Sequence, residues 1–389
     1  MKILYLATGG SLKDEHFLAK LVERGHETFY IYLRPSGQER AVPGVTQLCL
    51  DDDVLRKEPF LSLRLLRHLH SFFRFRALLR RIQPDILHAG HIQGPGLMAA
   101  ASGFHPFLLM PWGSDVLIHP NRSPLFRKAT QFVLKRADLI TCDANIIKRE
   151  ILRLQEFPEE RIRVVPWGVD TQKFQPSAAL RSQIRQELGL EPHHQVMVMT
   201  RWFKPIYGIE YFLQALPTVF QQVSQARALL IGSGPLEQKL RDLAQALGIQ
   251  DLVLFAGAVL NADLPRYLNA ADLYVSTSLS DGTSVSLLEA MACGLPAVVS
   301  DVPSNLEWIQ PGVNGFVVPR QATEPLATVL LSLLQDPEQA RQMGQRNRRV
   351  VEERADWDHN FGEVEELYHA LVPQPTAATE EAPARRDGT

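Results

Sequence analysis

The sequence predicts an α/β protein of two doubly wound halves in tandem, and three observations predict it. Short apolar or β-branched runs alternate with helical patterns, the signature of parallel sheets covered on both faces. The alternation breaks once, at Val164–Pro176, and then restarts. A loop, a helix and a strand succeed one another over Asp281–Val299, a unit suited to the carboxyl edge of such a sheet.

The totals agree. With 389 residues, 45% hydrophobic and 22% charged, the chain has length for about two to three domains and composition for a large core. A formal net charge of −2 argues against a dedicated nucleic-acid binder. The charge is uneven: residues 1–176 carry 25 Lys+Arg against 18 Asp+Glu, net +7, and the remainder nets −9. The N-terminal half is therefore the better candidate to meet an acidic or membrane-bound partner. Cys49, Cys142 and Cys293 are far apart in apolar surroundings, which suits free thiols in a reducing compartment rather than a metal site. Ile3–Ala7 is too short for a secretory signal, and no run has transmembrane length. The expectation is a cytoplasmic protein.

Taken in order, Lys2–Ala7 reads as a strand, Thr8–Ser11 as a turn, and the pattern to Arg24 as a helix stopped by Gly25. Further strands are expected at Thr28–Leu33, Val45–Leu50, Asp85–Ala89, Pro106–Met110 and Leu139–Cys142. After the break they recur at Gln195–Thr200, Ala228–Ile231, Leu252–Phe255, Leu273–Ser276, Ala297–Ser300 and Phe316–Val318, with helices between, for example Leu236–Leu247. A closing helix spans Trp357–Leu371. The domains are then 1–170, 171–354, a closing helix within 355–372 and a Pro/Ala/Glu-rich disordered tail, 373–389.

Two glycine turns raise the question of a dinucleotide enzyme. Ala7-Thr-Gly-Gly-Ser11 lacks a third glycine at the fingerprint spacing, and Gly232-Ser-Gly-Pro-Leu-Glu237 has Glu in its place. No acid ends the following strand to hold a ribose, and no P-loop motif occurs. The Asp281–Glu289 stretch is more informative. Asp281 and Gly282 fall in a turn, Ser284 or Ser286 starts the helix, and Gly294 with Pro296 ends it. Helix N-termini at strand ends favour anions, while carboxylates suit sugar hydroxyls. Glu289 would reach back toward the mouth. Ser286-Leu-Leu-Glu289 also fits a capping box, so the stretch alone leaves both readings open.

Several pieces in order carry a family resemblance: Pro84-Asp-Ile-Leu-His-Ala89, Gly113-Ser-Asp115, Gly168-Val-Asp170 with Phe174-Gln-Pro176, Arg201 with Gly208-Ile-Glu, Ile231-Gly-Ser-Gly-Pro235, Asp281-x7-Glu289-Ala-Met-Ala-Cys-Gly-Leu-Pro296 and Val313-Asn-Gly-Phe-Val-Val-Pro319. Together they resemble the retaining family 4 glycosyltransferases of the GT-B architecture, two Rossmann-like domains facing across a cleft. The resemblance implies sugar transfer from a nucleotide-diphosphate donor bound by the C-terminal domain to an acceptor bound by the N-terminal one. It carries Glu289 over as ribose partner, Asp281 as donor-sugar contact and Arg201 as diphosphate ligand with Lys204 helping. The amides of Gly282, Thr283, Ser284 and Val285, the Gly232 turn, and Gly9 and Gly10 from the other domain would approach the donor. Fixed positive groups can replace a metal at the leaving diphosphate, so no metal and no cofactor are expected. The closing helix would return to the first domain. The chain departs from the family in having Asp281 where Glu is frequent, Tyr207 where Lys is, Trp112 where His is and Trp167 where Asn is.

His16, His88, His91, Trp112 and Asp115 are the candidates for the acceptor side or cleft, with plain core packing as the alternative for Trp112 and a satisfied structural histidine as the alternative for the three histidines. Leu61–Ile82 carries Arg64, Arg67, Arg74, Arg76, Arg80 and Arg81 with no acid, and reads either as a surface helix or as a peripheral membrane contact for a lipid-linked acceptor. The expected partners are a nucleotide sugar and a glycan, lipid-linked or small-molecule acceptor, as in glycan, glycolipid or polysaccharide biosynthesis, with no nucleic acid. The alternatives are a nucleotide-sugar isomerase of the same fold, which would convert donor with no acceptor present, and a non-catalytic nucleotide-sugar binder.

Overall fold

The computed structural model describes residues 1–34, 40–50 and 61–372. The first sheet comprises β1 (Lys2–Ala7), β2 (Glu27–Tyr32), β3 (Val45–Cys49), β4 (Ile86–Gly90), β5 (Phe107–Met110), β6 (Leu139–Cys142) and β7 (Ile162–Val164). The second comprises β8 (Gln195–Thr200), β9 (Ala226–Ile231), β10 (Val253–Gly257), β11 (Leu273–Ser276), β12 (Ala297–Ser300) and β13 (Gly315–Val318). In the first half the helices are α1 (Leu12–Glu23), α2 (Leu61–Ile82), α3 (Leu97–Ser102), α4 (Ser114–Leu117), α5 (Pro124–Arg136) and α6 (Asn145–Leu154). They continue as α7 (Ala178–Glu187), α8 (Ile209–Gln222), α9 (Glu237–Ala246), α10 (Leu264–Asn269), α11 (Val285–Ala292), α12 (Thr323–Gln335), α13 (Pro337–Arg354) and α14 (Trp357–Leu371).

Strand order is 3-2-1-4-5-6-7 in one sheet and 10-9-8-11-12-13 in the other, with every pairing parallel. The two-domain α/β architecture expected from the sequence is the one observed. Each sheet is buried on both faces, which is why strands such as Leu139–Cys142 and Leu273–Ser276 are apolar without alternation. The order reverses between β1 and β4 and between β8 and β11. These are the switch points where connections leave in opposite directions and open a crevice at the carboxyl ends of the strands.

One strand escapes the sequence pattern. Ile162–Val164 pairs with β6, although Val164 reads as the start of the linker; three residues on a sheet edge are too few to show a period. Beyond it the chain crosses itself. Val169 pairs with Asp356, and a Cβ on Gly168 would stand 2.4 Å from the Trp357 Cα, so the crossing needs glycine. From there α14 returns to the first sheet. Phe361 packs 5.4 Å from Phe17 between ring centroids, and the Tyr368 hydroxyl lies 2.7 Å from His88 Nδ1. The expected tail, 373–389, lies outside the described residues, as do the side chains of Arg64 and Arg67.

Candidate functional site

At the second switch point β8 and β11 end side by side, and their loops bring Arg201 and Asp281 together. An Arg201 Nη1 lies 3.1 Å from Asp281 Oδ2. Its Nη2 donates to Ser284 Oγ (2.5 Å) and Ser276 Oγ (3.1 Å), and the guanidinium lies 5.1 Å from the Tyr207 ring centroid. Burial alone would lower the Arg201 pKa, but Tyr274 and Asp281 raise it overall, so a fixed cation stands at the mouth of the sheet. A Cβ on Gly232 would come within 1.9 Å of the Arg201 carbonyl oxygen. Glycine there lets the Arg201 backbone seat itself.

Ser284 is the N-cap of α11 and accepts from the Leu287 amide at 3.2 Å. The capping box on Ser286 is therefore not formed: Ser286 Oγ pairs with the Tyr274 hydroxyl at 2.9 Å. Glu289 is released from capping. It is 6% exposed, and burial pushes its carboxyl up to about 7. Its Oε1 accepts from Asn261 Nδ2 (3.1 Å), whose Oδ1 accepts from Lys173 Nζ (2.5 Å). A cavity of about 500 Å³ opens beside it, lined among others by Lys13, His16, Trp167, Lys173, Asn261 and Glu289. The cavity thus takes walls from both domains.

The first domain contributes differently. Lys13 follows the Gly9–Gly10 turn, where φ is +107° and +69°, and its ammonium sits 5.4 Å from both the Trp112 and Trp167 ring centroids. Trp167 stacks on Trp357 at 5.4 Å and is largely core. The Trp112 Nε1 is buried with no partner among the described residues. His16 lines the cavity, and burial with Lys173 lowers its pKa. His91 closes its Nδ1 on the Gln93 carbonyl at 3.0 Å and lies outside that cavity's lining.

Three expectations need correction, those for His88, Asp115 and the Thr283 amide. His88 is not at the cleft: it is fully buried, bonded to Tyr368 and edge-on to Tyr5 and Phe17, and burial lowers it to about 3. The strand's parity turns it onto the face that α14 covers. Asp115 is fully buried and spends its oxygens on the amides of Ile92 (3.0 Å) and Trp112 (2.9 Å), fixing two loops. Lys204 is exposed beside Trp202, and Lys13 and Lys173 are the lysines that approach Glu289. Finally, the Thr283 amide does not face open solvent; it donates to Asp143 Oδ2 of the first domain at 3.1 Å. The amides of Ser284 and Val285 have no acceptor among the described residues.

Asp143, Lys173 and Asn261 were not among the sequence candidates. Asp143 directly follows β6, a strand-end acid that could have drawn notice. Burial, and Asp281 facing it, raise its carboxyl to about 7 against the opposing pull of Lys13. Lys173 and Asn261 come from the linker and from a loop after β10, with no local signal.

Residues 181–350 match the family described as "Glycosyl transferases group 1", and residues 2–144 match "Glycosyl transferase 4-like". A GDP-mannose-dependent alpha-(1-6)-phosphatidylinositol monomannoside mannosyltransferase of Mycobacterium tuberculosis is 29% identical over 208 residues, covering 52% of this chain and 54% of that protein. The chain thus spans about half the length of this curated relative. An N-acetyl-alpha-D-glucosaminyl L-malate synthase of Bacillus anthracis is 26% identical over 260 residues, 67% of this chain and 66% of that one. Among solved structures, Anabaena HepE in complex with UDP and glucose superposes with a TM-score of 0.80 at 20% identity, covering 95% of this chain and 100% of that one; this likeness concerns the fold.

Proposed function

The chain belongs to the family 4-like, group 1 glycosyltransferases of GT-B architecture, and from that premise we propose that it moves a sugar from a nucleoside-diphosphate donor to an acceptor hydroxyl with retention of configuration. The observation that carries the reading is the meeting of Arg201, Asp281 and the cap of α11 at a switch point, with buried Glu289 behind them.

In this reading Glu289 accepts hydrogen bonds from the ribose hydroxyls, and Asp281 contacts the donor sugar. Arg201 and the Ser284 and Val285 amides face the diphosphate, where negative charge grows as the anomeric C–O bond breaks. Arg201 is paired with Asp281 in the free protein, so the incoming diphosphate competes for it. The acceptor oxygen bonds the anomeric carbon on the face the leaving group departs from. The acceptor proton passes to the departing phosphate oxygen, and the products are a glycoside and a nucleoside diphosphate. Neither a protein base nor a metal is required. Lys13, His16 and Trp112 lie on the acceptor side.

The acceptor is a glycan, a small molecule or a lipid-linked sugar, and the last is supported by one surface. Among the described residues no helix is long and apolar enough to cross a membrane. Yet α2 exposes Leu69 and Phe73, and Arg76, Arg80 and Arg81 are exposed along the same helix. Such a face suits peripheral attachment to anionic lipid at the cytoplasmic surface. Flotation with anionic vesicles tests it: Phe73→Asp is expected to release the protein, and no flotation of the wild type removes the membrane from the account.

The transfer itself is tested by offering GDP-mannose, UDP-glucose and related donors with simple acceptors in the presence of EDTA, and reading the product's anomeric configuration by NMR. Retained configuration is expected. An inverted product, or a requirement for divalent cation, contradicts the mechanism.

A further inference from the structure

Away from the sugar cavity two carboxylates cross between the domains in opposite directions. Glu307 of the second domain accepts from the Asn145 amide (2.9 Å), the Asn145 side-chain amide (3.0 Å) and the Ile146 amide (3.0 Å). These are the first amides of α6, whose own N-cap residue, Ala144, has no side chain that could serve them. Asp143, one residue earlier, reaches the other way. Its carboxylate accepts the Thr283 amide (3.1 Å), and its carbonyl accepts the Thr283 hydroxyl. Gly282 lies so close that a Cβ there would meet the Asp143 carboxylate at 3.0 Å.

The two contacts are linked inside the second domain. Ser304, at the start of the short turn that carries Glu307, donates to the Asp281 carbonyl at 3.1 Å. Residues 143–146 are therefore gripped at one end by the Asp281–Ser284 loop and at the other by Glu307, and the two grips share a frame. A serine or aspartate at 144 would cap α6 locally. With alanine there, α6 obtains its anion only when the domains meet.

We propose that Glu307 is a positioning residue for transfer: by capping α6 across the cleft it seats Asp143 on Thr283 and so holds Asp281, the donor-sugar contact of the reading above, in place, a role that a nucleoside diphosphate without its sugar does not sense. The proposal rests on the transferase reading above. Glu307 does not touch the cavity that holds Glu289. Its loss should therefore slow turnover while leaving nucleotide affinity in place.

The experiment compares wild type, Glu307→Ala, and Glu307→Ala combined with Ala144→Ser, for melting temperature, nucleoside-diphosphate affinity, kcat, and radius of gyration by X-ray scattering. Glu307→Ala should lower kcat by about tenfold or more, hold nucleotide Kd within about twofold, and enlarge the radius of gyration. Ala144→Ser gives α6 its own cap and should restore melting temperature without restoring kcat. If the double variant regains kcat together with stability, Glu307 is only a helix cap and the proposal is overturned; wild-type kcat in Glu307→Ala overturns it equally. Should Glu307→Ala fail to fold, Glu307→Gln, which keeps the shape and loses the charge, carries the same comparison. If the wild type turns over no donor, it is the transferase reading that fails. The clamp is then judged by scattering, where an unchanged radius in Glu307→Ala rejects it.

Discussion

The two halves of this molecule share a fold and use their polar residues in opposite ways. In the second domain the conspicuous residues converge: Arg201 and Asp281 pair at 3.1 Å, and Glu289 sits one helix turn behind the Ser284 cap region. In the first domain the conspicuous ones disperse. His88 is sealed under α14 and Asp115 is consumed by two loop amides, while the groups at the cavity wall include Lys13, His16 and Trp167. A site built from one loop and the helix that follows it inherits its geometry from local structure. A site assembled from several strand-end loops acquires geometry only when the sheet orders them.

That contrast can be broken most forcefully at Glu289. A carboxyl with a folded-state pKa of about 7 and an unfolded value of about 4.3 binds more protons folded than unfolded between those values. Its contribution to stability therefore falls as pH rises through that window. Glu289→Gln should cut turnover by roughly 100-fold, and between pH 4 and pH 8 its unfolding free energy should fall by roughly 3 kcal/mol less than that of the wild type. Denaturant titrations at the two pH values read the second effect. Asp14 and Asp143, also near 7, should leave part of the pH slope in place.

Asp115 sharpens the opposite side of the comparison. Removing its carboxylate strands two buried amides, so Asp115→Ala should cost on the order of 2–4 kcal/mol. The fraction that remains folded should bind nucleotide with wild-type affinity. A loss of nucleotide affinity without a loss of stability would return Asp115 to the binding site. The smallest effect is expected at Lys204, exposed beside Trp202: Lys204→Ala should change stability by less than about 0.5 kcal/mol, whereas Lys173→Ala, which removes a partner of Asn261, should weaken nucleotide binding. Equal losses in the two variants would mean that Lys204 swings into the site.

The same contrast explains what could be read from the chain alone. Twelve of the strands were legible, most of them because buried parallel strands are continuous apolar runs; the three-residue edge strand Ile162–Val164 was not. The acids and arginine of the second domain were legible because their spacing lies within one loop–helix unit and beside a strand end. The choice between cap and ligand for Glu289 was not local. It depended on Ser284 taking the cap and on Asn261 and Lys173 arriving from distant segments. Glu307 was illegible for a stronger reason, and Asp143, although a strand-end acid, showed no partner for the same one: each acquires its partner from the other domain.

The central claim, that the second domain's strand-end cluster is a nucleoside-diphosphate site, is tested most directly by calorimetric titration of GDP and UDP into wild type, Glu289→Ala and Arg201→Ala. At least one nucleotide is expected to bind the wild type, and each substitution to weaken it by about tenfold or more. Undiminished affinity in both variants, or no binding of either nucleotide by folded wild type, would contradict the claim.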